Sequence, residues 1–240
     1  MPQTNKNAVL GKRRRTKSLL SVEAAVNLIV NKEIALKSRS FYNGKFTSVD
    51  WKQAMNVKIL TYANVFLRID ASKLTALYLD GGDACTTNVF IKVGNLLPTN
   101  MTAVSNQKGV ANKLEKYRVE ALDVDLINFV NSCDVSYNIV FVDLCCDWIN
   151  GKKTIIAAID VCTPNAIFAF AVSRRTPTPI DPVKIDKEIK HHFSKWTKMG
   201  YSMKLLEYTY TRRAPSYYVF IYNFCYEKVI HKYPSEIEAT

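Results

Sequence analysis

At 240 residues, with 48% hydrophobic and 22% charged residues, the chain has the composition of a globular protein able to bury a core, which excludes wholesale disorder. No apolar run approaches the roughly 20 residues of a membrane helix, and helix-like sequence follows Lys12-Arg-Arg-Arg15, so neither a membrane span nor a secretory leader is expected. The net charge of +12 is uneven: residues 1–75 hold 14 Lys/Arg against 4 Asp/Glu, and residues 76–240 hold 19 against 17. Such asymmetry points to a polyanion partner, nucleic acid first; a basic face that serves only solubility is the other reading.

Residues 1–17 are polar, basic and aperiodic, and read as a flexible arm. Leu19, Val22, Val26 and Ile29 recur at helical spacing and predict a first helix over 18–36. Thr47 and Asp50 then fit a capping box, and Trp51, Met55, Ile59, Tyr62, Phe66 and Ile69 make the apolar stripe of a second helix. These helices form an extension over 18–71, ahead of a Rossmann-like domain over 72–240.

Beyond residue 72, short apolar runs at 76–79, 101–104, 118–122, 139–142 and 166–172 alternate with helical segments at 86–93, 123–130 and 152–161. That alternation predicts βαβ units and a largely parallel sheet. Asp181-Pro182 is a helix start, and Ile185, Ile189, Phe193 and Trp196 line one face of that helix before Gly200 stops it. The last two β-rich runs, 203–211 and 216–225, are separated only by Arg212-Arg-Ala-Pro215, a connection short enough to join only antiparallel neighbours. The expected fold is therefore α/β: a mostly parallel, doubly wound sheet with a C-terminal antiparallel hairpin, preceded by two N-terminal helices.

The chemistry falls at strand ends, where open α/β sheets bind ligands. Leu77-Tyr-Leu-Asp80 runs into Gly81-Gly82, an acid delivered to a tight turn that a ligand can approach closely, with the N–H groups of the next helix pointing the same way. An aspartate capping an ordinary turn has the same sequence. A second acid, Asp143, closes the run 139–142; if the two strands are neighbours, both acids face one crevice. Trp148 then lies above it, either stacking on a base or covering the end of the core.

Arg174 and Arg175 follow the fifth strand, and Arg212 and Arg213 sit in the hairpin turn. Guanidinium pairs of this kind can hold phosphates; ordinary exposed loop arginines are the other reading. Lys12, Arg13, Arg14 and Arg15 are a phosphate-gripping arm or a nuclear localisation signal. Cys145-Cys146 fits packing better than nucleophilic catalysis, and His191-His192 a helix surface. Six cysteines without a C-x-x-C pair, and three histidines, offer no metal site and suit reduced thiols inside a cell, in nucleus or cytoplasm. There is no G-x-x-x-x-G-K-[ST], and the acid closes the first strand rather than the second, which argues against P-loop and nicotinamide nucleotide sites.

This order of elements, from Ser72 to Glu227, resembles the S-adenosylmethionine-dependent methyltransferases of the Rossmann-like class: an acid and glycine turn after the first strand, a polar group at the second strand's end, an Asp-centred motif after the fourth, and an antiparallel strand closing the sheet. The Asp80 turn with Thr86-Thr87, the Val104-Ser-Asn106 strand end, and Val142-Asp143 followed by Trp148 look like a divergent branch found in large DNA viruses and unicellular eukaryotes. The resemblance implies S-adenosylmethionine as cofactor, held by Asp80, Gly81, Gly82 and Asn106, with Asp143 and Trp148 at the substrate. It departs from the family in the irregular Asp80-Gly-Gly-Asp-Ala-Cys85 turn, in Asn106 where an acid is usual, and in Asp143-Leu-Cys-Cys, which matches neither the adenine-amino nor the cytosine-carbon signature. The expected function is methyl transfer to nucleic acid, RNA before DNA, with no membrane partner. The rival is a catalytically silent scaffold of the same fold that binds nucleic acid, in a larger assembly.

Overall fold

The computed structural model describes residues 48–144, 146–173, 181–210 and 217–226. The arm at 1–17, the helix expected over 18–36, Thr47, Cys145, and the arginine pairs at 174–175 and 212–213 lie outside the described residues. The strands are β1 (Ala76–Leu79), β2 (Met101–Val104), β3 (Glu120–Leu122), β4 (Tyr137–Asp143), β5 (Cys162–Ser173), β6 (Tyr201–Tyr210) and β7 (Tyr217–Tyr226). The helices are α1 (Ser48–Leu67), α2 (Cys85–Lys92), α3 (Val110–Leu114), α4 (Leu126–Ser132), α5 (Trp148–Ile159) and α6 (Pro182–Thr197).

Among the described residues, the seven strands join one sheet in the order β3-β2-β1-β4-β5-β7-β6. The first five pair in parallel, while β7 runs antiparallel between β5 and β6. The expected α/β fold, a mostly parallel sheet with a C-terminal hairpin, is the observed one. After β3 the chain returns across the sheet to place β4 on the other side of β1, so the order reverses between β1 and β4. Such a switch point leaves a crevice at the carboxyl edge.

The strands are apolar on both faces because both faces are covered. Along β5, Ile167, Ala169 and Ala171 join a cluster with Ile59, Tyr62 and Ala63 of α1 and Phe90 of α2. Phe168, Phe170 and Val172 point the other way, toward Ile155 and Ile159 of α5 and Ile185, Ile189 and Phe193 of α6. The second N-terminal helix is thus part of the main core. Glu207 on β6 ties it there, pairing with the Lys58 ammonium and accepting from the Tyr62 hydroxyl at 2.9 Å.

Helix limits follow their caps. Asp147 accepts from the Asn150 N–H at 3.0 Å, so α5 starts a turn before the expected 152. Asp125 accepts from the Ile127 N–H at 2.9 Å, so α4 begins at 126 rather than 123. Asp123 instead accepts from the N–H groups of Gly109 and Ala111 at 2.6 and 2.8 Å. It thereby anchors the start of α3, a short helix that the apolar pattern did not announce.

Candidate functional site

Asp80 follows β1 and Asp143 ends β4, and the register that pairs Tyr78 with Phe141 sets the two acids level on neighbouring strands. Both line one cavity of about 350 Å³, within the size range of small-molecule sites. Leu79, Asp80 and Gly81 form its floor beside β1; Val104, Ser105, Asn106 and Gln107 its wall beyond β2; Asp143, Leu144 and Cys146 the opposite wall. Cys85 and Thr86 at the start of α2, Asp125 and Leu126 at the start of α4, and Thr154 of α5 close the sides.

The Asp80 carboxylate is largely committed to its own turn. One oxygen accepts from the Gly81 N–H at 2.9 Å; the other accepts from the Thr87 N–H at 2.8 Å and the Thr87 hydroxyl at 2.7 Å. Thr87 in turn meets the buried Tyr78 hydroxyl at 2.9 Å. Burial raises the Asp80 pKa above the ordinary carboxylate value, against the lowering effect of the bonds from Thr87 and Gly81. A carboxylate has about four acceptor positions, so three bonds leave room for one more donor.

Asp143 is held differently. Its side chain is 8% exposed and one oxygen pairs with the Lys52 ammonium of α1 at 2.7 Å, Lys52 being 32% exposed. The other oxygen, Oδ1, is buried without a hydrogen-bond partner. An unpaired buried carboxylate oxygen is costly, and it requires a donor.

The two glycines of the turn differ in role. Gly81 lines the cavity, whereas Gly82 is absent from its walls, and a Cβ there would stand 3.0 Å from Lys113 Nζ. Neither has a positive φ; the left-handed residue of the turn is Ala84, at φ 52°. Asn106 is exposed and reaches the cavity from the end of β2.

Trp148 is placed away from the cavity walls. Its indole is 7% exposed on the α5/α6 side of the sheet, 5.8 Å from the Phe170 ring, and its N–H donates to Glu188 at 3.1 Å. Asp143 belongs in register with Phe141 on the α1/α2 side, so β4 and the helix after it deliver the two residues to different faces. The indole therefore covers the end of the core, the second of its two sequence readings.

Thr86 lies where the helix expected from it puts its N–H toward the cavity, whereas Lys52, Cys85, Gln107, Asp125 and Thr154 are cavity residues without a reading from sequence. Lys52 carries no signal beyond being next to the apolar stripe of α1, while Asp125 is an acid three residues past β3. The Cys85 thiol is pushed up to about 12 by burial and by the neighbouring acids Asp83 and Asp80, which makes it an inert wall. Among the described residues, no group of three or more His, Cys, Asp or Glu side chains is arranged to hold a metal. Nor is any helix among them long and apolar enough to cross a membrane.

No protein-family model matches the chain, and no curated protein is similar to it in sequence. Among solved structures it is similar to the candidate methyltransferase yhhF from Escherichia coli, at 14% identity over 69% of this chain and 83% of that one, with a TM-score of 0.45. It is also similar to TYW2 from Pyrococcus horikoshii, solved in complex with MeSAdo, at 13% identity over 75% and 64% of the two chains, TM-score 0.49. Fibrillarin from Methanococcus jannaschii, a pre-rRNA processing protein, matches at 12% identity over 66% and 69%, TM-score 0.46. The fold itself stands on the strand order and pairing.

Proposed function

We propose that the chain is an S-adenosylmethionine-dependent methyltransferase acting on nucleic acid, RNA before DNA. The observation that carries this reading is the cavity at the β1/β4 switch point, with acids from both strands on its walls and one carboxylate oxygen of Asp143 without a donor.

The residues present fit such a cofactor in volume and in acceptors. The remaining acceptor position of Asp80 and the amide of Asn106 suit ribose hydroxyls, and Gly81 allows close approach over the turn. Asp125 and Gln107 also line the cavity and suit donors of a heterocycle. When bound, the cofactor supplies a methyl group on a sulfonium, whose transfer returns the bonding pair to sulfur and needs no metal. The protein's part is then positioning: Asp143 orients a substrate N–H or O–H by accepting its hydrogen bond at Oδ1, the proton released on methylation passes to this carboxylate and on to solvent, and Lys52 holds the carboxylate in place. Trp148, anchored on Glu188, fixes the start of α5 and hence the wall that includes Thr154. The charge of residues 1–75, with Lys12, Arg13, Arg14 and Arg15, and the pairs Arg174-Arg175 and Arg212-Arg213, supports a phosphate backbone as the substrate's scaffold.

Isothermal titration with S-adenosylmethionine tests the reading, with heat and saturation expected. Asp143→Asn is expected to lower methyl transfer to RNA at least about a hundred-fold, the scale of losing a group aligned at the reacting centre, while RNA binding stays intact. The second reading, a silent nucleic-acid scaffold, is favoured by the commitment of Asp80 to its own turn and of Asp143 to Lys52. No heat at millimolar cofactor alongside salt-sensitive RNA binding would select it.

A further inference from the structure

We propose that the outward face of α6 is a track for the phosphate backbone of a nucleic-acid strand, leading from the cavity edge of the sheet toward its opposite edge. The proposal deepens the nucleic-acid half of the function above and rests on that half alone. Lys184, Lys187, His191, Lys195 and Lys198 are all exposed. At roughly 100° per residue they fall within about 80° of the helix circumference, over a rise of about 21 Å at roughly 1.5 Å per residue.

The acids of the helix are engaged elsewhere, although Glu188 borders the stripe, about 20° beyond Lys195 on the helix circumference. Asp186 accepts from the Tyr222 hydroxyl at 3.1 Å and pairs with Lys190 at 2.8 Å. Glu188 accepts from the Trp148 indole at 3.1 Å and lies 3.8 Å from Lys152, while Asp181 caps the helix through the Val183 N–H. Lys195 pairs with Asp160, but Lys184, Lys187 and Lys198 have no carboxylate partner among the described residues. Over residues 76–240 positive and negative charges nearly balance, at 19 against 17, so this stripe is a local segregation rather than a general excess.

The stripe is also tied to the cavity. Glu188 holds Trp148 at the start of α5, and α5 supplies Thr154 to the cavity wall. A strand engaged along α6 would therefore be led to the edge where Asp80 and Asp143 stand. An anionic membrane is disfavoured as occupant, because the apolar face of α6, Ile185, Ile189 and Phe193, is at most 2% exposed and nothing is left to insert into a bilayer.

The test compares the full chain with two triple variants: Lys184→Gln/Lys187→Gln/Lys198→Gln, and a control, Lys73→Gln/Lys92→Gln/Lys116→Gln, at exposed lysines outside α6. Binding of a short fluorescent single-stranded RNA is followed by anisotropy across a salt series, with circular dichroism to verify the fold and titration with S-adenosylmethionine run in parallel. The α6 variant is expected to bind RNA at least about ten-fold more weakly at about 0.1 M salt, with the slope of log K against log salt reduced by about 2, three contacts at roughly 0.7 each. The control is expected to stay within about two-fold, and cofactor binding to be equal in all three proteins. Equal losses in both triples, or no loss in either, would overturn the track while leaving the functional reading in place. So would an α6 variant that loses binding only to phosphatidylserine vesicles. A full chain that shows no salt-sensitive RNA binding would overturn the track and the nucleic-acid reading together, and cofactor heat would still report on methyl transfer separately.

Discussion

Lys52 and Asp143 form the pair on which the chemistry of the cavity turns. In the proposed complex the cofactor's sulfonium would carry the same charge as the Lys52 ammonium that pairs with Asp143, so removing one should favour the other. Lys52→Met is expected to tighten binding of S-adenosylmethionine about three- to ten-fold, up to about 1.4 kcal/mol, while affinity for the uncharged thioether product changes little; paired calorimetric titrations give the ratio. The same substitution leaves Asp143 buried without its cation. Because Lys52 is itself part-exposed, the cost in stability should be about 1–3 kcal/mol, below that of a fully buried pair, read as a lower midpoint in denaturant. Asp80 gives a pH signature of a definite sign. Burial raises its pKa, so the folded state holds this proton more tightly than the unfolded chain does. Its contribution to stability is complete below the ordinary carboxylate value and is lost as pH rises through the raised one. A carboxyl NMR titration of the folded protein should place its midpoint above that of an unstructured aspartate.

At the scale of elements, α1 is clamped across the sheet. Burial alone would raise the Glu207 pKa, but bonds from Lys58, Thr209 and Tyr62 and the Lys58 charge outweigh it and hold the carboxyl below its ordinary value. The sign is the reverse of Asp80: this stability is present above the unfolded pKa and is lost as pH falls through the depressed one. Glu207→Gln should therefore cost stability at neutral pH and flatten the acid limb of a denaturation-midpoint profile. A Cβ at Gly151 of α5 would meet Leu144 Cδ1 at 2.7 Å and Cys146 Sγ at 3.1 Å. Gly151→Ala should push in that wall of the cavity and cost about 1–3 kcal/mol, visible as a lower melting temperature and weaker cofactor binding. Neither device can be read from the chain, because Glu207 and Lys58 are 149 positions apart and nothing local marks them as partners. By contrast β1 and β2 have the limits that their apolar runs predict, and α6 starts after Asp181 as its N-cap and proline dictate. A buried parallel strand and a proline-started helix are local signals; a side chain's partner across the sheet is not.

On the scale of the whole molecule, charge is divided between the front of the chain and the stripe on α6. Residues 1–17 hold six Lys/Arg, and deleting them should lower RNA affinity and the salt slope without altering cofactor titration, if the arm grips phosphates; nuclear import assays on the same deletion separate the localisation reading. Composition and periodicity sufficed for the α/β class, the parallel run of strands, the terminal hairpin and the two acids at strand ends, because each depends on residues close together along the backbone. Only the packed sheet decided that β1 and β4 are neighbours with Asp80 and Asp143 level between them. It decided too that Lys52 closes on Asp143 from a helix some ninety positions away, and that Trp148 belongs to the core of the other face. Those outcomes depend on strand order and on which side of the sheet each helix crosses, and these are set by burying two apolar faces at once rather than by any local stretch of residues.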